Sequence, residues 1–261
     1  MCIELFELFG VSFLAVMLTM TLLWGLGCYY KNVGIVDIGW AASFFLIAVA
    51  CLLFGDGNTS KKIFIVTLVM IWSGRLLWHL WQRFDFKVED PRYTKIMKGF
   101  GSENYEFKVY LMFMFQGLLV LVLSTPFILV SGYSETPWEF YEGLGLAVWL
   151  IGFYGETVSD RQMARFKRNP DNKGKVCREG WWNYSRHPNY FFEWVVWIGY
   201  FLIALPTWGG MFTIISPFII LILLTRVSGI PPAERQALES KGEQYREYQK
   251  TTSAFVPWFP K

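Results

Sequence analysis

The chain has 261 residues, of which 54% are hydrophobic, 19% aromatic and only 17% charged, where a soluble chain averages about 25% charged. Its 24 Lys and Arg against 21 Asp and Glu leave a formal net charge of +3, too small a surplus to speak of partners until its placement is known. This composition excludes disorder, nucleic-acid binding and a secreted disulfide scaffold, and the four cysteines (Cys2, Cys28, Cys51, Cys177) form neither a C-x-x-C pair nor a His/Cys cluster that would hold zinc.

Charge-free runs at 8–30, 38–55, 109–134 and 194–225 match the roughly 20 apolar residues that a helix needs to cross a bilayer. They predict an all-α, polytopic membrane helix bundle. The first span, Phe9 to Tyr30, follows Glu4 and Glu7 rather than a basic segment and lacks a small-residue cleavage site, so it reads as a retained helix and not a signal peptide. The second runs from Val33 to Phe54 and stops at the turn-rich stretch 55–60, and the third runs from Ile63 to Trp81 with Arg75 and His79 inside it. The fourth is Tyr110 to Val130, and the fifth is Gly143 to Ser159, with Glu156 and Asp160 at its end. The 32 charge-free residues between Glu193 and Arg226 are too many for one crossing at about 1.5 Å per residue. Leu205-Pro206-Thr207-Trp208-Gly209-Gly210 divides them into two short spans, about seven in all. Twenty-one of the 24 Lys and Arg follow odd-numbered spans, and only Lys61 and Lys62 lie in loops on the other side. The positive-inside rule then puts the N-terminus outside and the C-terminus in the cytoplasm.

Ionisable groups within spans cost several kcal/mol unless they face the bundle interior, so each is a functional candidate. Trp72, Arg75 and His79 share a face of span three, as do Glu156 and Asp160 on span five and Asn189 and Glu193 on span six. Asp37 opens span two, Gln116 lies within span four, and Arg226 closes span seven. If these faces converge, they line one polar cavity open to the cytoplasm. The plainer reading makes Asp37, Glu193 and Arg226 interfacial, pairs Arg75 with a carboxylate, and uses Gln116 to hold helices together.

One segment resists the plainer reading. Between Glu179 and Glu193 the chain packs Trp181, Tyr184, Arg186, His187, a helix-starting Pro188, Asn189 and Tyr190 into the point where it meets the membrane. Upstream lie Arg161, Arg165, Lys167, Arg168, Lys173, Lys175 and Arg178. Donors, aromatics and a helix start together suit a phosphate-bearing nucleotide. No G-x-G-x-x-G or Walker loop is present, which argues against a Rossmann or P-loop origin.

Tyr184-Ser185-Arg186-His187-Pro188-Asn189-Tyr190-Phe191-Phe192-Glu193, with Asp160 before it and Arg226 after it, resembles the steroid 5-alpha-reductase superfamily over roughly residues 145–261. The Val36-Asp37-Ile38-Gly39-Trp40, Glu89-Asp90-Pro91-Arg92-Tyr93 and Thr252-Ser253-Ala254-Phe255-Val256-Pro257-Trp258 segments resemble its largely bacterial multi-span branch. The resemblance implies an NADPH-dependent reductase with a seven-span bundle, its nucleotide entering from the cytoplasm and its lipidic substrate from the bilayer. It implies that Asp160, Asn189, Glu193 and Arg226 contact the cofactor. Arg75 and Lys167 would help hold its phosphates, and Trp181, Tyr184, Arg186, His187 and Tyr190 would wall it; Arg165, Arg168 and Lys175 add more charge than a diphosphate alone requires, which favours NADPH over NADH. It divides the single membrane domain, 1–261, into a substrate side at 1–140 and a nucleotide side at 141–261. Animal steroid reductases resemble one another in a Gln-Glu pair on the second span and a Tyr on the third. This chain offers Asp37 and Trp72 instead, which leaves the substrate open between a steroid and another lipid.

Reducing a C=C bond conjugated to a carbonyl needs hydride at the β-carbon and an acid at the oxygen. Desolvation favours the neutral, donating form of a carboxyl, so Asp37 is the candidate acid, with Arg75 and Trp72 beside it. Alternatively, Asp37 pairs with Arg75 and orients it. Two other functions compete. Membrane methyltransferases of the isoprenylcysteine type, which use S-adenosylmethionine, share an Arg-His-Pro-x-Tyr element and a tail like Glu234 to Leu238 followed by Gly242 to Tyr248. A non-enzymatic lipid-binding protein would leave Arg186, His187, Asn189 and Glu193 without a purpose. Asn189, Glu193, Asp160 and the many basic residues favour the reductase, because NADPH is an anion and S-adenosylmethionine a cation. Oligomeric state is not legible.

Overall fold

A computed structural model describes residues 2–89, 91–101, 103–133 and 137–261. Asp90 of the Glu89–Tyr93 signature lies outside them. Apart from turns and one parallel bridge between Ser185 and Ser253, the regular structure of the described residues is helical. In chain order the helices are α1 (Cys2–Tyr30), α2 (Ile35–Phe54), α3 (Thr59–Arg83), α4 (Pro91–Phe100), α5 (Tyr105–Leu123), α6 (Thr125–Tyr133), α7 (Phe140–Arg168), α8 (Pro188–Ala204), α9 (Ile215–Ile222), α10 (Ile230–Lys241) and α11 (Glu243–Thr251). Contacts gather them into two compact units, Met1–Trp138 with Ala204–Thr213, and Glu139–Ile203 with Ile214–Lys261.

In the first unit α1 packs on α2 and α5, and α3 packs on α2 and α6. The expected single span Tyr110–Val130 is divided, because Pro126 has no amide hydrogen to carry the α5 ladder onward. Ser124 at the joint turns its hydroxyl back onto Val120 O at 2.8 Å. The core is aromatic, with Phe44 edge-on to Trp72 at 5.4 Å and to Phe127 at 6.4 Å. Helix α3 begins four residues before the expected Ile63, because the Asn58 side chain accepts from the amides of Ser60 and Lys61 at 3.0 and 3.3 Å.

Five helical stretches among the described residues are long and apolar enough to cross a membrane: Leu5–Tyr30, Ile35–Phe54, Thr59–Arg83, Tyr105–Leu123 and Gly210–Lys241. On α1, Leu14, Leu18 and Leu22 recur every fourth residue and are 67%, 62% and 62% exposed, a stripe that lipid covers at no cost and water would not. The last stretch is charge-free only as far as Thr225. Beyond Gly229 it carries Glu234, Arg235, Glu239 and Lys241, so α10 stands outside the membrane-crossing part.

In the second unit α7 opens on a capping box, Glu139 N donating to Glu142 Oε2 at 2.9 Å. It continues nine residues past the expected Ser159, its last turn carrying Arg165, Lys167 and Arg168, cations that suit the negative end of the helix dipole. Small residues let α7 and α8 touch backbone to backbone. A Cβ at Gly152 would stand 2.6 Å from Val196 N, and one at Gly199 would stand 2.7 Å from Trp149 Cβ. Helix α8 stops at Ala204, where the predicted breaker begins. Helix α9 runs into a wide π-turn, Leu223–Val227, in which Ser228 N reaches Leu223 O at 2.8 Å.

Candidate functional site

The start of α8 is held by the C-terminal tail. Arg186 donates from Nε to Glu234 Oε1 at 2.6 Å and from Nη1 to the carbonyls of Gln249 and Thr252 at 3.1 and 2.5 Å. Backbone links reinforce it: Arg186 N to Ser253 O at 2.8 Å and Trp258 N to Tyr184 O at 2.9 Å. Ser185 Oγ donates to Phe255 O at 2.8 Å, and the Tyr248 hydroxyl donates to Trp182 O. Arg186 and His187, expected on a nucleotide wall, also tie residues 184–187 to α10, α11 and the tail.

Electrostatics explains why this junction holds. Burial alone would raise the Glu234 carboxyl, but hydrogen bonds from His187 and Arg186, the Arg186 charge and the Gln249 amide at 2.8 Å outweigh it and hold it at about 2. Burial lowers the His187 pKa below its ordinary value against the pull of that carboxylate. The imidazole is therefore neutral at pH 7, and its Nε2–H donates to Glu234 Oε1 at 3.3 Å. The other side of the ring problem is geometric: His187 lies flat on Tyr190, centroids 5.5 Å apart and planes 4° from parallel.

Past this junction the first turn of α8 meets α7. Asn189 Nδ2 donates to Asp160 Oδ1 at 3.3 Å, joining two residues that the sequence could only put on separate faces. Glu193 follows one turn later on the same side of α8. Ser159 and Gln162, which flank Asp160, secure the preceding loop, the Trp182 indole donating to Ser159 O at 2.9 Å and Trp181 N to Gln162 Oε1 at 3.0 Å. Trp181 packs edge-on to Phe192 at 4.9 Å and to Tyr184 at 6.4 Å. Arg226 is exposed in the π-turn, the kind of helix irregularity that often marks a functional site. Arg165, expected at a phosphate, pairs with Glu179 at 3.2 Å across open surface, and Lys167 lines a cavity at the end of α7.

The first unit holds a second polar group. The Tyr93 hydroxyl donates to Asp37 Oδ1 at 2.5 Å, and Tyr93 is 6% exposed. The segment before Tyr93 is tied to the start of α2, because the Glu89 carboxylate accepts from Val33 N at 2.8 Å and Gly34 N at 3.0 Å. The Asn32 side chain spans the same gap, donating to Asp85 O and Val88 O at 2.8 and 3.2 Å. Trp72, expected beside the reacting group, is wholly buried and meets Phe44 edge-on at 5.4 Å. Arg75 is part-buried on α3. Sequence reasoning missed two residues, Tyr93 and Glu234, although both sit inside segments whose pattern it had singled out.

The family model described as a protein of unknown function, DUF1295, matches residues 23–252. The chain belongs to the DUF1295 family. Among curated proteins, this DUF1295 chain is 23% identical to an uncharacterised protein of Schizosaccharomyces pombe over 74% of its own length and 64% of the relative's. It is 26% identical to the steroid 5-alpha-reductase DET2 of Arabidopsis thaliana, covering 54% and 56% of the two chains. It is 28% identical to the 3-oxo-5-alpha-steroid 4-dehydrogenase 1 of Mus musculus, covering 44% and 41%. The chain thus spans between 41% and 64% of these relatives' lengths. The two reductases support the steroid 5-alpha-reductase superfamily as the wider group of this DUF1295 protein. No solved structure matches.

Proposed function

We propose that the protein is a membrane-embedded, NADPH-dependent reductase of a carbon–carbon double bond conjugated to a carbonyl, in a steroid-like or other lipid. The observation that carries this reading is the Asn189–Asp160 bond at 3.3 Å at the start of α8, in the stretch most like the superfamily's. An amide and a carboxylate side by side offer donor and acceptor together, Glu193 adds another acceptor, and Trp181, Tyr184 and Tyr190 offer flat faces. Arg226 and Lys167 add positive charge. Of these groups it is the basic ones, and not the two carboxylates, that favour an anionic dinucleotide over a cationic cofactor. NADPH, when bound, supplies hydride to the β-carbon of the enone.

The residues of this chain do the rest. Asp160, Asn189 and Glu193 orient the nucleotide, and Arg186, His187 and Glu234 keep the α8 start where those contacts need it. The Tyr93 hydroxyl, which points to Asp37 in this structure, turns its proton to the carbonyl oxygen, on which negative charge grows in the transition state, while Asp37 holds the phenol in place. The short Tyr93–Asp37 bond supports Asp37 as part of this donor rather than as an interfacial charge. We propose further that α7 and α8 complete seven crossings, with the N-terminus outside and the C-terminus cytoplasmic. Residues 1–140 would then carry the substrate side and 141–261 the nucleotide side. The placement of 21 of the 24 Lys and Arg supports that orientation.

The test is a melting curve of the detergent-solubilised protein with NADPH or S-adenosylmethionine, followed by NADPH oxidation with an enone lipid and mass analysis of the product. Stabilisation by NADPH with a product two hydrogens heavier is expected. Stabilisation by S-adenosylmethionine alone, with a methylated product, would overturn the reading.

A further inference from the structure

Glu89 reaches across 55 positions to the start of α2. Its two carboxylate oxygens accept from Val33 N at 2.8 Å and Gly34 N at 3.0 Å, amides that lie just ahead of the first helical residue, Ile35. Amides at a helix start have no partner inside the helix and need an acceptor from elsewhere. Gly34 already has one close by, because Asn32 Oδ1 accepts from its N–H at 3.0 Å. A side chain beside the helix start caps it as well as a distant one does, so stabilising α2 does not by itself call for a carboxylate from another segment. What a distant carboxylate adds is a fixed spacing between two segments.

The contacts close into a ring. Gly34 gives its N–H to Glu89 and receives at its carbonyl the N–H of Asp37, at 3.2 Å. Asp37 receives the Tyr93 hydroxyl, and Tyr93 stands four positions after Glu89, where the ring closes. Asn32, 2% exposed, fastens the same two segments a second time through its bonds to Asp85 O and Val88 O. Gly34 belongs to the fit, since a Cβ there would stand 3.1 Å from Asn32 Oδ1 and 3.4 Å from Glu89 Oε1. The Tyr93–Asp37 pair is thus one of several attachments, and the phenol does not pivot about a single contact. An orientation held in advance is what a proton donor needs, because a misplacement of about 1 Å can cost a hundredfold in rate.

We propose that Glu89 is a positioning residue for the proton donor, setting the place of the Tyr93 phenol at Asp37 without touching substrate or cofactor. That this phenol serves an enone rests on the reductase reading; that Glu89 sets its place does not.

The test uses the full-length protein in detergent with 3-fluorotyrosine in place of Tyr93, the fluorine lying next to the hydroxyl and reporting its partner by NMR. Glu89→Ala and Asn32→Ala should each move or split the fluorine resonance toward the position it takes in Asp37→Asn. Glu243→Ala, which breaks a surface pair with Arg246, should leave it in place. In unlabelled protein Glu89→Ala should slow single-turnover NADPH oxidation with an enone about tenfold to a hundredfold, with NADPH affinity and the KM for the enone unchanged. Glu89→Gln, which keeps one accepting oxygen, should recover part of the rate. In a Tyr93→Phe background Glu89→Ala should cost nothing further, because both changes act through one phenol. If Glu89→Ala does not fold, Glu89→Gln and Asn32→Ala carry the comparison. A fluorine resonance that stays put in the folded variants overturns the proposal, and so does an equal loss of turnover from Glu89→Ala with and without the Tyr93 hydroxyl. A resonance that moves as expected in a protein that reduces no enone overturns the reductase reading alone.

Discussion

The Glu234 carboxylate receives Arg186 at 2.6 Å and His187 at 3.3 Å on the same oxygen, Oε1, while its other oxygen takes Gln249 at 2.8 Å. One acid on α10 therefore fixes both the segment that leads into α8 and the helix that precedes the tail.

Removing that acid should be costly. The side chains of Arg186 and Glu234 are 10% and 17% exposed, and deleting one partner of a buried pair strands the other's charge, typically for about 3–5 kcal/mol. Glu234→Ala should lower the melting temperature steeply and make the tail protease-sensitive. The apolar double replacement Arg186→Met with Glu234→Leu should recover part of the stability, as read by thermal melting in detergent.

Acid should loosen the same junction, in a direction fixed by the shifts. Glu234 is held at about 2 against an ordinary 4.5, so the unfolded chain takes up the proton first. Its stabilisation is complete above pH 4.5 and fades as the pH falls toward 2, by at most about 3 kcal/mol. His187 is also lowered from 6.5, and the unfolded state again protonates first, so its contribution begins to fade below pH 6.5. Denaturant midpoints measured from pH 7.5 down to pH 5 should fall, and His187→Gln should flatten that slope. A wild-type midpoint constant across this range would show that His187 is not buried neutral.

The substrate-side prediction concerns Tyr93. If its hydroxyl, backed by Asp37, polarises the carbonyl, Tyr93→Phe should reduce single-turnover NADPH oxidation with an enone by roughly 100- to 1,000-fold and leave NADPH affinity as it was. Asp37→Asn should behave alike. Loss of cofactor affinity in either variant would instead indicate the orienting role for Asp37.

The cofactor-side prediction concerns α8. Asn189→Ala and Glu193→Gln each remove a polar contact from one face, and losing a charge-assisted hydrogen bond costs about 2–3 kcal/mol, or roughly a hundredfold in affinity. Calorimetric titration with NADPH measures this directly, and unchanged affinity in both folded variants would move the site elsewhere.

Much of this architecture is legible in the sequence because it is local. The starts and stops of α2 and α8 follow from charge-free runs, Pro188 and the Leu205–Gly210 breaker, each read within a few residues, whereas the Asn58 cap that starts α3 four residues early passes unread. What escapes is long-range and polar. Asp37 meets Tyr93 across 56 positions and Arg186 meets Glu234 across 48, and no periodicity encodes such a pairing. Arg165 and Lys167 looked alike as cations of one loop, yet Glu179 takes the first while the second lines a cavity. Helices α10 and α11 escaped because they are amphipathic and charged, and the search for apolar spans passes over them.

The π-turn at Leu223–Val227 carries one more residue than an α-helical turn would, and a single residue corresponds to about 100° of rotation. With the Gly229 joint unchanged, excising one residue here would swing α10 by more than a quarter of a circle and carry Glu234 off the bearing on which it meets Arg186. The widened turn acts as a phase-setter, so the spacing between α9 and Glu234 tolerates substitution of its side chains far better than the loss or gain of a single position.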